Sequence, residues 1–577
     1  MIQFNLIDDG WISVTQLYGS TTQKIGIREL LRKAANYRGV QGTIPLETAA
    51  IYRILIAFIH SAYLHQDPSQ DAADLENWKR MWQQKSFDEG IINAYCDHSQ
   101  PFFNLFDTTR PFFQDPKLTG KEESVSSLMT HISSGADATL FNHNTNASSI
   151  RLAFDQAARA IITIQSFGLA GTKGSQASFN DAPCARGIMF FVEGNTLFET
   201  LMLNLFKRDL RSHRMKQREK DAPVWEQSNP FASDPLRPYG LLDHLTWHNR
   251  RIRLVNPIGD DNLVMQMIYA PGLKTSDPKK SVRDVFNPFH HWRAKASAEE
   301  AGEQSSRSHS PLVFRQDKAL WRESAVLFEL PSDDESRDKP PASLAWVREL
   351  AEEGIVPYEQ SYRLLAVGAC TKPGQDKTFF YRSESLPLPM KYLDRNLSEL
   401  ISDLGTATKQ AEDVGKLLNR CAYLLARLIH SPSTPDNDFD ESDKPFEEQT
   451  RIDSKIALGK NEHRKDPEAR RARQALQLFS SFGIERLYWS QLEAHFYRLI
   501  QDLPNDPDTA KEKWREHLKR VANNAFNQAI AHAGADRRAQ RAIVKAEEQF
   551  RFGLARLLNI KQTDSISIYG GETNVTN

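Results

Sequence analysis

The stretch Ala411-Glu412-Asp413-Val414-Gly415-Lys416-Leu417-Leu418-Asn419-Arg420-Cys421-Ala422-Tyr423-Leu424-Leu425-Ala426-Arg427-Leu428-Ile429 repeats apolar side chains every three or four residues, through Ala411, Val414, Leu418, Cys421, Ala422 and Leu425. That period marks one face of an amphipathic helix. The same spacing runs through 397–406, 466–482, 484–503, 507–533 and 535–558, with an acidic link rich in Pro, Asp and Glu at 432–448. Successive helices of this kind predict an antiparallel bundle, because each can bury its apolar stripe only against the others. Residues 390–577 are therefore expected to form a helical bundle domain, with 565–577 a frayed tail.

Upstream of about Pro389 the pattern is mixed. Phe4-Asn5-Leu6-Ile7 and Trp11-Ile12-Ser13-Val14 read as two short strands about Asp8-Asp9-Gly10, since Asp-Gly suits the positive φ of a tight hairpin. Ile27 to Leu31 and Leu46 to Tyr63 have helical spacing, the second starting after Pro45, a residue at home in a first turn. Pro and Phe dominate 98–116, which is expected to pack, whereas the Ser/Asn/Thr/Gly-rich 133–150 is expected to be an exposed loop. Ile188 to Val192 and Arg251 to Val255 read as strands, and 296–310 as a polar insertion. The expected fold class is α+β: a large mixed α/β domain over 1–389, followed by a helical bundle over 390–577.

A chain of 577 residues exceeds the usual ceiling for one hydrophobic core, which agrees with two packed units. With 40% hydrophobic and 25% charged residues it is an ordinary globular composition, which excludes a mostly disordered chain. Lys and Arg number 73 against 74 Asp and Glu, so any nucleic-acid surface must be a local patch. Cys96, Cys184, Cys370 and Cys421 are far apart and make no C-x-x-C pair, which argues against a disulfide framework or zinc knuckle. The opening residues have no basic segment followed by an apolar run, so a cytoplasmic location without membrane partner is expected. Ile51 to Tyr63 carries Arg53 and His60 and falls short of the roughly 20 residues of a membrane span, so it reads as a core helix.

Candidate chemistry is sparse. His244-x-x-x-His248 has Leu245 where a zincin would carry its catalytic Glu, and the adjacent His290 and His291 point apart in a helix or strand. Asp8-Asp9 could hold a cation, but a turn explains the pair without one. Gly168-Leu169-Ala170-Gly171-Thr172-Lys173-Gly174-Ser175 superficially resembles a phosphate loop, yet Thr172 stands where a Walker A motif needs Gly. Two readings of it stay open: a turn packed on its own protein, or small residues that let backbone approach another polymer closely. Basic residues cluster at Lys207 to Lys216, Arg250-Arg251-Arg253 and Arg470-Arg471-Arg473, and 511–551 carries ten Lys or Arg against five Asp or Glu. Such runs are solvated faces or phosphate contacts. No catalytic group, metal site or cofactor is expected.

Taken together, the segments resemble a known family, the CasA large subunit of the type I-E CRISPR surveillance complex, Cascade. The resemblance follows segment order: Leu6-Ile7-Asp8 to Val14, the 135–146 loop, the 168–174 loop, Thr246-Trp247 to Leu254, Asn256-Pro257-Ile258-Gly259, Ala319-Leu320-Trp321-Arg322 and Ala494-His495-Phe496-Tyr497. It implies a large mixed α/β N-terminal domain followed by a C-terminal four-helix bundle, in a non-catalytic subunit of an RNA-guided complex that recognises the PAM, a short motif beside the target in double-stranded DNA. It also implies nucleation of target unwinding (R-loop formation) and recruitment of the helicase-nuclease, with crRNA and other Cascade subunits as partners. Guide pairing reads sequence only once strands part, so a protein must first read the duplex, and degenerate minor-groove readout tolerates several motifs.

Carried onto this chain, the family's glycine loop resembles Gly168, Leu169, Ala170 and Gly171 with Lys173, though the family run is commonly richer in glycine than Leu169-Ala170. A basic finger maps near Arg293 and Lys295. The wedge hairpin resembles Lys372-Pro373-Gly374-Gln375, with Gln375 at its tip; Pro-Gly equally suits an ordinary hairpin turn. The loop at Phe141-Asn142-His143 resembles an element contacting the guide's 5′ end and a neighbouring subunit. Some family members bind zinc after the Asn-Pro-Ile-Gly segment, but here Asp260-Asp261-Asn262 follows, so no zinc is expected. A metal-dependent hydrolase and a protein-only scaffold are the alternatives.

Overall fold

The computed structural model describes residues 3–19, 21–69, 71–129, 150–173, 177–208, 218–255, 257, 262–275, 282, 287–294, 309–329, 337–371, 378–430 and 467–559. The chain divides into two compact units, Met1–Leu320 with Val326–Asn396, and Trp321–Ala325 with Leu397–Asn577.

The first unit is built around the helix Pro45–Gln66, whose residues from Leu46 to Tyr63 are almost all buried. Its sequence is apolar on every side, as a helix enclosed by neighbours requires. Pro45 occupies its first turn, and Glu47 and Thr48 accept the amides of Thr43 and Gly42 at 2.7 and 2.9 Å, anchoring the chain before it. Buried polar groups need partners. Arg53 accordingly donates to the carbonyls of His244 and Leu245 at 2.9 and 3.0 Å and to Cys184, while His60 pairs with Asp71 at 2.9 Å. The Pro/Phe segment does pack: Phe103 lies 4.9 Å from Phe112 and 5.1 Å from Trp225, with all three rings buried.

The opening hairpin is not formed as the sequence suggests. Leu6 and Ile7 are both fully buried, so the alternation of a strand is absent. Asn5 bridges Asn104, Asp8 and Asp9 turn back on the Asn5 carbonyl, and Asp8 pairs with Arg28 at 2.8 Å. The strand Ile12–Gln16 instead takes Thr22–Ile25 and Tyr37–Val40 as antiparallel neighbours. Gly10 is needed for close approach, since a Cβ there would sit 2.7 Å from the Lys24 carbonyl oxygen.

Two further three-stranded antiparallel sheets frame the candidate site. One orders Glu123–Ser124, Gln266–Pro271 and Arg250–Leu254; the other orders Thr378–Pro389, Ser361–Thr371 and Met189–Glu193. In the second, Met189–Glu193 covers only Arg363 to Val367 of its neighbour, so Gly368 to Thr371 continue outward paired with Thr378–Pro389 alone.

The second unit is helical: Ser398–His430, Pro467–Phe482, Ile484–Asp502, Pro507–His532 and Arg537–Leu557. The spacing that suggests separate helices at 397–406 and 411–429 belongs to one helix of 33 residues, because the intervening Ala407-Thr408-Lys409-Gln410 contains no breaker. Gly483, with φ 59°, ends Pro467–Phe482 and precedes Ile484–Asp502, so five helices are present among the described residues. Tyr488 donates to the Ala411 carbonyl at 2.8 Å and Trp514 to that of Ala407 at 3.2 Å, satisfying both buried donors against the long helix. Trp321 is fully buried in this unit, 4.4 Å from Phe496 and 5.8 Å from Trp489.

Candidate nucleic-acid interface

The helix Phe154–Phe167 ends at Gly168, whose amide donates to the Ile164 carbonyl at 2.9 Å. The chain then forms a small hairpin, Gly171–Lys173 paired with Ala177–Phe179 in the register Gly171 to Phe179 and Lys173 to Ala177. Arg250, 2% exposed, ties the two feet of this hairpin together: Nη2 donates to the Leu169 carbonyl at 2.7 Å and Nη1 to that of Asn180 at 2.9 Å. Its Nε reaches the Tyr269 hydroxyl at 2.9 Å, and the guanidinium lies 4.8 Å from the centre of the Phe179 ring. Gln165 exchanges two hydrogen bonds with the Arg250 backbone, at 2.7 and 2.9 Å, fixing the strand against the helix.

On the other side, Asp181 accepts the Ala170 amide at 2.7 Å and is itself held by Arg186 at 2.8 Å, while the Ala182 amide donates to the Gly168 carbonyl at 2.8 Å. A Cβ on Gly168 would lie 2.7 Å from the Ile164 oxygen and 3.0 Å from Arg250 Nη2, so this glycine makes room for the protein's own guanidinium. Gly168 is buried, and Leu169, Ala170 and Gly171 are half-buried.

The run Arg250-Arg251-Arg253 therefore does not act as one basic patch. Alternation along the strand turns Arg250 inward with Ile252 and Leu254, and Arg251 pairs with Asp115 at 2.5 Å. The period of two, applied to the sequence, is the signal that separates the inward arginine from its neighbours. Among other basic residues, Lys207 pairs with Glu349, and Arg208 with Asp71 at 2.9 Å. On the helical unit Lys513, Arg515, Lys519, Arg537, Arg538, Arg541 and Lys545 are exposed.

The four candidate histidines, His244, His248, His290 and His291, are core residues. His244 lies at the end of the short helix Leu241–Leu245 and His248 beyond it, so they do not share a helix face. Burial and the nearby Arg53 push His244 well below its ordinary value; burial and Arg237 take His248 to about 3. His290 bonds the Ile188 carbonyl at 2.9 Å and His291 the Asp338 carboxylate at 3.2 Å, in different directions. Among the described residues no three His, Cys, Asp or Glu side chains gather as metal ligands, and no helix is long and apolar enough to cross a membrane.

The model of the family described as CRISPR-associated protein Cse1 matches residues 5–525. The chain belongs to the CRISPR-associated Cse1 family. It is 28% identical over 565 residues to the CRISPR-associated protein CasA/Cse1 of Thermus thermophilus, covering 95% of this chain and 96% of that one. Solved structures share the fold. CasA (Cse1) from Thermus thermophilus superposes with a TM-score of 0.70 at 24% identity, over 96% of this chain and 100% of the other. Cse1 from Acidimicrobium ferrooxidans gives 0.71 at 21% identity, over 97% and 99%. A chain of a CRISPR RNA-guided surveillance complex gives 0.64 at 17% identity, over 96% and 100%.

Of the residues that the resemblance to this Cse1 family singles out, Arg293 lies mid-strand in Trp292–Ala294, opposite Ser310. It is half-buried beside Asp338; burial opposes ionisation there, but His291, the Ala294 amide and the Arg293 charge outweigh it and hold the carboxyl below its ordinary range. Lys173 closes the small hairpin's first strand. Lys295, the wedge residues Lys372, Gly374 and Gln375, and the loop residues Phe141, Asn142 and His143 lie outside the described residues. Lys295 directly follows the strand end at Ala294, and Lys372 the strand end at Thr371.

Proposed function

We propose that this Cse1 family member is the non-catalytic large subunit of a type I-E RNA-guided complex, Cascade, acting in the cytoplasm. In this reading it recognises the PAM in double-stranded DNA, nucleates R-loop formation and helps to recruit the helicase-nuclease, with crRNA and the other Cascade subunits as partners. The observation that carries the reading is the family match over residues 5–525, together with a CasA/Cse1 relative aligned over 96% of its own length.

Geometry adds support. Opening a duplex costs about 1.4 kcal/mol of stacking per step, so a wedge must be stiff enough to hold the gap it enters. The paired strands Ser361–Thr371 and Thr378–Pro389 give residues 372–377 such a mount. Past Val367 they run as a two-stranded ribbon, braced where Cys370 meets the Phe314 carbonyl at 3.3 Å. Lys372, Gly374 and Gln375 are the proposed wedge. Gly171 and Lys173 of the small hairpin, with Arg293 and Lys295, are the proposed groove contacts, and Phe141, Asn142 and His143 the contact to guide and neighbouring subunit.

The test is co-purification of the full chain from cells carrying its guide RNA. The expected result is a particle containing that RNA and several smaller proteins, which opens duplex targets only beside the right motif. A chain that recovers neither RNA nor partners, or cleaves DNA by itself in a chelator-sensitive way, would overturn the reading.

A further inference from the structure

We infer that Arg250 and Asp181 are the positioning residues of the hairpin Gly171–Lys173 and Ala177–Phe179, clamping its two feet from inside so that contact with duplex DNA falls to Gly171–Lys173 and not to Gly168–Ala170. This inference rests on the reading of the loop as a groove contact. The stretch from Gly168 to Ala170 has turned its backbone inward: the Gly168 amide and carbonyl, the Leu169 carbonyl and the Ala170 amide all bond groups of the same chain. Close approach of a second polymer at these positions would have to displace them.

The clamp has two parts, each spanning from one foot of the hairpin to the other. Arg250 joins the carbonyls of Leu169 and Asn180, which flank the paired strands, and faces Phe179. Asp181, on the second foot, takes the Ala170 amide of the first and is oriented by Arg186. Both side chains are buried, at 2% and 4% exposure, so neither serves as a phosphate contact from its present position. A planar guanidinium with fixed donors can hold two carbonyls at once, whereas a lysine ammonium offers a single point of charge. Reading a groove with main-chain groups demands that they be held in place beforehand, which is what a hairpin tied at both feet provides.

The experiment uses the full chain in its guide-RNA particle, with Arg250→Lys, Asp181→Ala, Asp181→Asn and Lys173→Ala. Amide hydrogen exchange over 169–180 and affinity for duplexes with and without the PAM are both measured. Arg250→Lys and Asp181→Ala are expected to speed exchange in this segment by about tenfold or more, the mark of local opening. They are also expected to reduce the PAM preference by about tenfold while leaving PAM-less affinity, which phosphate contacts dominate, within about twofold. Asp181→Asn keeps an acceptor for the Ala170 amide and should retain the preference. Unchanged exchange, or faster exchange with the preference intact, overturns the inference. If Lys173→Ala lowers the preference and Arg250→Lys does not, the inference alone fails. If neither lowers it, the groove reading of the loop fails and takes the inference with it.

Discussion

Arg322 closes a two-pronged ion pair on Glu412, with Nε and Nη2 each 2.7 Å from a separate carboxylate oxygen, and its guanidinium lies 3.7 Å from the centre of the Trp489 ring. Together with the fully buried Trp321 it makes Trp321–Ala325 part of the helical unit's core, although these residues sit in the middle of the first unit's sequence. Trp321→Ala should therefore cost about 3–5 kcal/mol, as large-to-small core changes do. Arg322→Ala should cost about 1.5–3 kcal/mol, the scale of hydrogen bonds to charged groups. Denaturant unfolding followed by helical circular dichroism checks both. A Trp321→Ala chain that loses its helices at the wild-type midpoint would refute the assignment.

Two glycines are required for different reasons, and the same substitutions tell them apart. Gly483 has φ 59°, and a methyl group added at its Cα would meet nothing within 4 Å, so its constraint is conformational. Gly483→Ala is expected to cost about 1–2 kcal/mol, and Gly483→Asn much less, because Asn visits that region more readily. Gly168 is limited by space, with Arg250 and the Ile164 oxygen in the way. Gly168→Ala should cost about 1–3 kcal/mol by overpacking, and Asn should be no better. Thermal unfolding of the four variants is the measurement, and rescue of Gly168 by Asn would contradict it.

In the helical unit His495 and His517 stack with ring centroids 3.8 Å apart, and Arg520 Nη2 lies 3.1 Å from His495 Nε2 and 2.9 Å from His517 Nδ1. Both imidazoles are lowered: His495 by burial, then by Arg520 and Arg498; His517 by burial, then by His495 and Arg520, with Glu516 opposing. The folded values lie below the unfolded one, so the unfolded chain takes up protons first as pH falls. The pair's contribution is therefore complete above about pH 6.5 and declines below it. Denaturant midpoints of wild type and His495→Gln/His517→Gln should differ at about pH 8 and converge near pH 5. The double variant isolates this pair from the buried histidines of the first unit, and parallel curves would sink the prediction.

The elements most legible in the sequence are those whose signal is local. The helical period of Ala411 to Ile429, the apolar run after Pro45 and the paired strands on either side of Pro373-Gly374 are all present in the structure. What escapes depends on partners far along the chain. Nothing near Trp321 announces that it packs against Phe496, and the charge of Arg250 suggests solvent, whereas its place beside Ile252 and Leu254 puts it in the core. Asp8-Asp9-Gly10 reads as a hairpin turn because Asp-Gly commonly makes one, but full burial of both Leu6 and Ile7 leaves no alternating strand for it to join. Of the candidate interface, the sequence and family resemblance supply the proposed groove residues and the proposed wedge, while the proposed clamp by Arg250 and Asp181 comes only from geometry.

Binding and opening should separate between the two proposed DNA contacts that follow the strand ends at Ala294 and Thr371. Lys295, directly after the strand end at Ala294, is the proposed groove contact, whereas Gln375 is the proposed tip of the wedge. Lys295→Ala should weaken PAM-dependent binding and shift its salt dependence, because the proposed contact loses one cation. Gln375→Ala should leave duplex binding within about twofold but slow strand opening by about tenfold, which is the effect of removing about 1.4 kcal/mol of transition-state stabilisation. Fluorescence of an unstacking-sensitive base placed beside the PAM reports opening, and equilibrium titration reports binding. If both variants bind and open DNA as the parent does, the groove and wedge assignments are wrong; if Gln375→Ala lowers binding and opening in equal measure, the tip is a contact and not a wedge.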